Sequence, residues 1–124
     1  VVEPFGVPEL RDLLLGIVDR MPDNRNPVGL YGSCVFDDGD GRHCIIGQLA
    51  YEQGWRSPGS NPFANEWDAS KAASYYGWPV TPVGGEMLDR VQAAADTGPM
   101  LWGLLRDVIL SLAKEFSAQE APAA

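Results

Sequence analysis

Imidazoles and thiols are scarce in this chain of 124 residues: His43 is the sole histidine, and Cys34 and Cys44 are the two cysteines. A structural zinc site wants about four ligands from paired short spacings, and no second Cys/His pair exists to complete one. Basic residues are also few, nine against seventeen acidic, which leaves a formal charge of -8. That balance repels phosphate backbones and anionic lipid, so nucleic-acid binding is disfavoured and either a solvated acidic face or a basic partner is expected. The longest apolar stretch, near Met100 to Leu105, is broken by Arg106 and Asp107 well before the ~20 residues that a bilayer span needs. No basic and apolar signal segment precedes Val1, although a start without Met is compatible with removal of one. These absences lead to the expectation of a cytoplasmic protein that does not enter membranes.

The apolar residues that are present make up 45% of the chain with those carrying charge at 21%, which is a globular balance. The length suits one core, so a single domain is expected over 1–117, followed by a frayed Ala- and Pro-containing tail over 118–124. The expected class is mainly α: about five helices, with one short β-hairpin, at about 33–44, leading into a helix.

The first helix is read over 8–21, where Leu10, Leu13, Leu14, Ile17 and Met21 recur at spacings of three and four. Pro8 suits its first turn, and Glu9 and Asp12 favour the positive end of its dipole. Ile45 to Gly54 forms the second, with Ile46, Leu49 and Ala50 inward and Gly54 as a left-handed cap. A third falls within Pro62 to Tyr76, its buried side marked by Trp67, Ala72, Tyr75 and Tyr76, and Gly77-Trp78-Pro79 closes it. Thr81-Pro82 opens a fourth, carrying Met87, Leu88, Val91, Ala94 and Ala95, with Gly84-Gly85 read as a loop hinge before it. The last, Met100 to Phe116, has an apolar stripe wide enough for a helix covered on more than one side.

In the hairpin, a three-residue turn at Asp38-Gly39-Asp40 would set Cys34 directly opposite Cys44. Three roles then compete. The first is structural, a reduced core pair or a disulfide. The second is a metal site of Cys34, Cys44 and His43 with Asp37 or Asp40; it is disfavoured because neighbours on a strand project to opposite faces, and the acidic turn lacks a calcium-loop register. The third is a thiol-dependent enzyme using Cys44 at a helix N-terminus, where the dipole lowers a thiol pKa; a suitably placed general base is missing. Carboxylates such as Glu52, Glu66, Asp68 and Glu86 could pair as acid and base, although a solvated face is their ordinary role. No cofactor is implied.

Trp55, Phe63, Trp67, Tyr75, Tyr76 and Trp78 concentrate aromatic surface in one stretch. Core filling is their default role, and an exposed part would be a contact surface for a protein partner.

Gly32-Ser33-Cys34, the Asp-Gly turn and Cys44-Ile45-Ile46-Gly47 resemble a pattern of Cys, turn, Cys-apolar-apolar-Gly in small proteins of actinobacteria and their phages, a group without established activity. Gln92, Asp96-Thr97-Gly98 and Trp102 are similar to a second segment of that group, so the resemblance spans about 31–105. It implies a phage or prophage accessory protein of a kind that acts by binding a host protein; the missing catalytic sets and the aromatic stretch add the expectation that it is non-enzymatic.

Overall fold

The computed structural model describes residues 3–26, 43–55, 68–97 and 100–120. Within them the chain forms α1 (Val7–Arg20), α2 (Ile45–Gln53), α3 (Ala69–Tyr76), α4 (Pro82–Asp96), a 3-10 turn (Trp102–Leu105) and α5 (Arg106–Glu120). Helices α1, α4 and α5 pack on one another, α3 lies along α4, and α2 leans on α1 and α4. The core they enclose includes Leu10, Leu14, Ile46, Leu49, Met87, Leu88, Trp102 and Ile109, all essentially inaccessible to water. Burying an aliphatic side chain of this size contributes roughly 1.5–3 kcal/mol.

Periodicity places most of these faces correctly. In α1, Leu10, Leu14 and Ile17 are buried as their spacing predicts, joined by Val7 and Val18, while Leu13 and Met21 pack at the margin. Gly54 and Gly77 take left-handed φ values of 71° and 69° to end α2 and α3, a conformation that costs side-chain-bearing residues more.

Four expectations need correction. The hairpin falls outside the described residues except for its last two positions, and these are not strand. Cys44 is the N-cap of α2: its carbonyl accepts from Gln48 N at 2.8 Å and its Sγ from Gly47 N at 3.3 Å, so its backbone is committed to the helix and not to a ladder. The one strand-like pairing among the described residues is a parallel bridge between Phe5 and Val80.

Second, Met100 to Phe116 is not one helix. Trp102 N donates to Asn24 O and Gly103 N to Pro22 O, which draws this segment onto the loop after α1 as a 3-10 turn. A Cβ at Gly103 would stand 2.9 Å from Pro22 Cβ, so the approach needs glycine. The apolar stripe is also covered on fewer sides than its width implies, because Leu104 is 66% exposed. Third, Gly84 and Gly85 lie in the first turn of α4 and are not a hinge. A Cβ at Gly84 would meet Leu10 Cδ1 at 2.7 Å, so its hydrogen lets α4 close on α1.

Fourth, Ala118 to Glu120 are helical and not frayed. Glu120 holds them in place: Oε1 accepts from Val7 N at 2.8 Å and Oε2 accepts from the Thr81 hydroxyl. One carboxylate thereby serves the positive ends of both α1 and α4. A Cβ at Gly6 would come within 2.5 Å of that Oε1, which explains the small residue at the N-cap.

Asn26 is the buried polar centre of the fold, 6% exposed. Its Oδ1 accepts from Ile45 N at 2.9 Å and from Trp102 Nε1 at 3.0 Å, and its Nδ2 donates to Asp96 Oδ1 at 2.8 Å. Those three bonds tie the loop after α1 to the start of α2, the 3-10 turn and the end of α4. Asn26→Leu strands two buried donors, so it should lose about 2–4 kcal/mol in urea unfolding. A loss below about 1 kcal/mol would mean that those donors find other acceptors.

Candidate functional site

The aromatic stretch divides into an inner brace and an outer face. Gly54 turns the chain at the end of α2 and delivers Trp55, whose backbone N–H donates to Ala50 O. The half-buried Trp55 ring packs against Phe5 and Trp78, with centroids 5.6 Å away in each case. Trp78 follows Gly77 in the same way, its N–H on Ala73 O, and is 5% exposed. These two tryptophans therefore hold the N-terminal segment, α2 and the connection from α3 to α4 together, and Trp78 offers little area to a partner. Phe5 had no signal in the periodicity, because it precedes α1 and acts through the bridge to Val80.

Tyr75 and Tyr76 lie at the end of α3 with ring centroids 5.0 Å apart, edge to face. Ala69, Ala72 and Ala73 provide the buried side of this helix, which leaves Tyr76 half-buried and Tyr75 70% exposed, so Tyr75 does not belong to the buried side expected for it. Phe63 and Trp67 lie outside the described residues.

On another side of α3 from Tyr75, α3 and α4 flank an open cleft of about 430 Å³, and neither tyrosine lines it. Ser70, Ala73 and Ser74 line it from α3, Pro82, Gly85 and Glu86 from α4, and the connecting segment adds Trp78, Val80 and Thr81. Its volume is in the range of ligand clefts. Small residues create it: Gly85 has no side chain to fill the gap, and a Cβ there would make ordinary contact with Ser70 at 3.6 Å. The spacing of Ser70, Ala73 and Ser74 with Gly84-Gly85 is the sequence signal for this close helix pair.

The α3 helix starts without a cap from its own Asp68 side chain. Two α4 side chains supply it instead. Gln92 Oε1 accepts from Ala69 N at 3.0 Å, and Asp89 accepts from Ser70 N and from the Ser70 hydroxyl at 2.8 and 2.6 Å. The cleft wall is thus fixed to α4 at its N-terminal end.

The thiol candidate is placed differently from a nucleophile. Cys44 carries a free thiol with no exposed surface, occupied as a helix cap. The His43 ring stacks on Tyr51 at 5.0 Å with 22° between planes. Cys34, Asp37 and Asp40 lie outside the described residues, and among those described no three of His, Cys, Asp or Glu converge as metal ligands.

Of the acid and base candidates, Glu52 bonds with Arg20 and Gln48 on the surface. Partial burial pushes its carboxyl up, but the hydrogen bonds from those two residues and the Arg20 charge outweigh this and hold it below the ordinary range. Asp68 and Glu86 are exposed, and Glu66 is outside the described residues. Asp96 moves the other way: desolvation raises its pKa, and the hydrogen bond from Asn26 only partly opposes that rise. No described helix is long and apolar enough to cross a membrane. Compared with family models, curated proteins and solved structures, the chain finds no match.

Two outcomes follow from this geometry. In a Cys34→Ser background, Cys44 should resist alkylation in the native protein and react once it is unfolded; rapid native labelling would reopen the nucleophile role. Asp96 binds its proton more tightly folded than unfolded, so its favourable contribution is complete below about pH 4 and is lost as pH rises through the raised folded value. Asp96→Asn keeps an oxygen for Asn26 Nδ2 without the charge. It should therefore raise the Tm at about pH 7, with the gain shrinking on acidification; an equal gain at about pH 3 would contradict the assignment.

Proposed function

We propose that this is a non-enzymatic accessory protein that acts by binding a protein partner through the outer face of α3 and the cleft beside it. The observation that carries this reading is Tyr75, a large amphipathic side chain held 70% exposed on a helix whose opposite side is anchored by alanines. Tyrosine at such a position supplies broad apolar contact plus a hydroxyl at low entropic cost, which is why it is enriched in protein interfaces. The burial of Cys44 argues against thiol-dependent chemistry as the alternative.

The resemblance of the Cys44-Ile45-Ile46-Gly47 segment to small actinobacterial and phage proteins supports a phage or prophage origin and a partner in the cytoplasm of the bacterial host. The charge of -8 favours a partner with a basic surface.

Affinity capture from an actinobacterial lysate, with Tyr75→Ala as the paired bait, tests the reading. One dominant protein should be retained, with roughly tenfold weaker binding to the variant, as truncating an interface tyrosine commonly costs at least about 1.4 kcal/mol. Equal recovery by both baits, with the variant's circular dichroism unchanged, would remove Tyr75 from the interface.

A further inference from the structure

We infer that the cleft between α3 and α4 receives a basic, amphipathic segment of the partner protein, with a lysine or arginine head group at Glu86 and its aliphatic stem along Pro82 and Val80. This rests on the protein-binding reading above and adds the chemistry of the occupant. Charge complementarity is the first argument. Among the described residues that line the cleft, Glu86 is the one ionisable group and none is Lys or Arg, and the whole chain carries -8. A cation approaching this surface is attracted at long range and meets a carboxylate at the rim.

The second argument removes the competing occupant. The cleft adjoins the N-terminus of α4, where a helix dipole and open N–H groups ordinarily favour an anion. Here two of the first three positions of α4 offer no open N–H. Pro82 has no N–H, Gly84 N donates to Thr81 Oγ1 at 3.0 Å, and the Thr81 hydroxyl donates to the Glu120 carboxylate. An incoming phosphate or carboxylate would meet the Glu86 carboxylate at the cleft and that of Glu120 behind Thr81, whereas a cation would not displace any of these bonds.

The apolar walls complete the match. Ala73, Val80, Pro82 and Trp78 border the space along with the hydroxyls of Ser70 and Ser74. Long cationic side chains lay their methylene stems on such surface while the charge stays at the wet rim. An unmixed polycation would leave the walls uncovered, and an unmixed apolar segment would desolvate Glu86 without an ion partner.

The test titrates 15N-labelled full chain with a capped amphipathic Lys/Leu peptide and, separately, with its Glu/Leu counterpart. Saturable shifts centred on Ser70–Ser74 and Thr81–Glu86 are expected with the first peptide alone, weakening as salt is raised. Glu86→Lys should reduce affinity about tenfold, and Ser74→Trp, which fills the mouth from an exposed helical position, should abolish the shifts. Circular dichroism on both variants confirms that they fold. Shifts centred elsewhere, or equal binding of the acidic peptide, would overturn the inference. The peptide titration does not depend on lysate capture through Tyr75, so the cleft and the protein-binding reading can fail separately.

Discussion

The starts of α1, α2 and α3 are capped across the fold, and the architecture depends on that. The first turn of any helix leaves backbone N–H groups without intrahelical acceptors. Gly6 and Asp68, at the starts of α1 and α3, supply no side-chain cap, and Cys44 at α2 offers only a weak sulfur acceptor. The missing oxygen comes from Glu120 for α1, Asn26 for α2, and Gln92 with Asp89 for α3. A short helix of 8 or 9 residues is marginal alone, so α2 and α3 persist because α4 and the loop after α1 complete their first turns as well as their packing.

This arrangement makes the ends of elements as specific as their faces. Glu120 can reach Val7 only if α5 crosses α1 at the right height, and a side chain at Gly6 would push it away. Asn26 can serve Ile45 and Trp102 together only if the 3-10 turn sits on Pro22 and Asn24. Each cap therefore fixes where one helix stops along another, something apolar contact leaves comparatively free. Buried polar groups of this kind are stabilising when every member is satisfied and costly when one is lost.

The same division explains what could be read from sequence. The apolar faces of α1 and α4 and the glycine ends of α2 and α3 are local patterns, legible within a few residues of themselves. The caps are not, because their partners stand far apart along the chain and an asparagine in a polar loop or a glutamate near the C-terminus looks like ordinary surface. Met100 to Phe116 read as one helix because its periodicity is real; what breaks it is Asn24 and Pro22 taking two N–H groups. At the candidate site, the aromatic composition of the Trp55–Trp78 stretch was visible, but composition could not separate Trp78, a core brace, from Tyr75, which faces solvent. The cleft was harder still, since it is made by the absence of side-chain volume at Gly85 and Ala73.

Capping from within also shapes the outside of the molecule. Helix N-termini normally scatter patches of positive potential over a surface, which partly offset an acidic composition. Here the starts of α1 and α4 share the Glu120 carboxylate, that of α3 meets Asp89, and α5 carries Asp107 in its first turn. Positive ends that would temper the net charge are consumed internally, so the acidic side chains act on solvent with little local relief. On such a surface selectivity for a partner cannot come from net charge alone. It has to come from shape, and α3, with the exposed Tyr75 on one side and a cleft walled by small residues and rimmed by Glu86 on another, is where this fold combines shape with the charge.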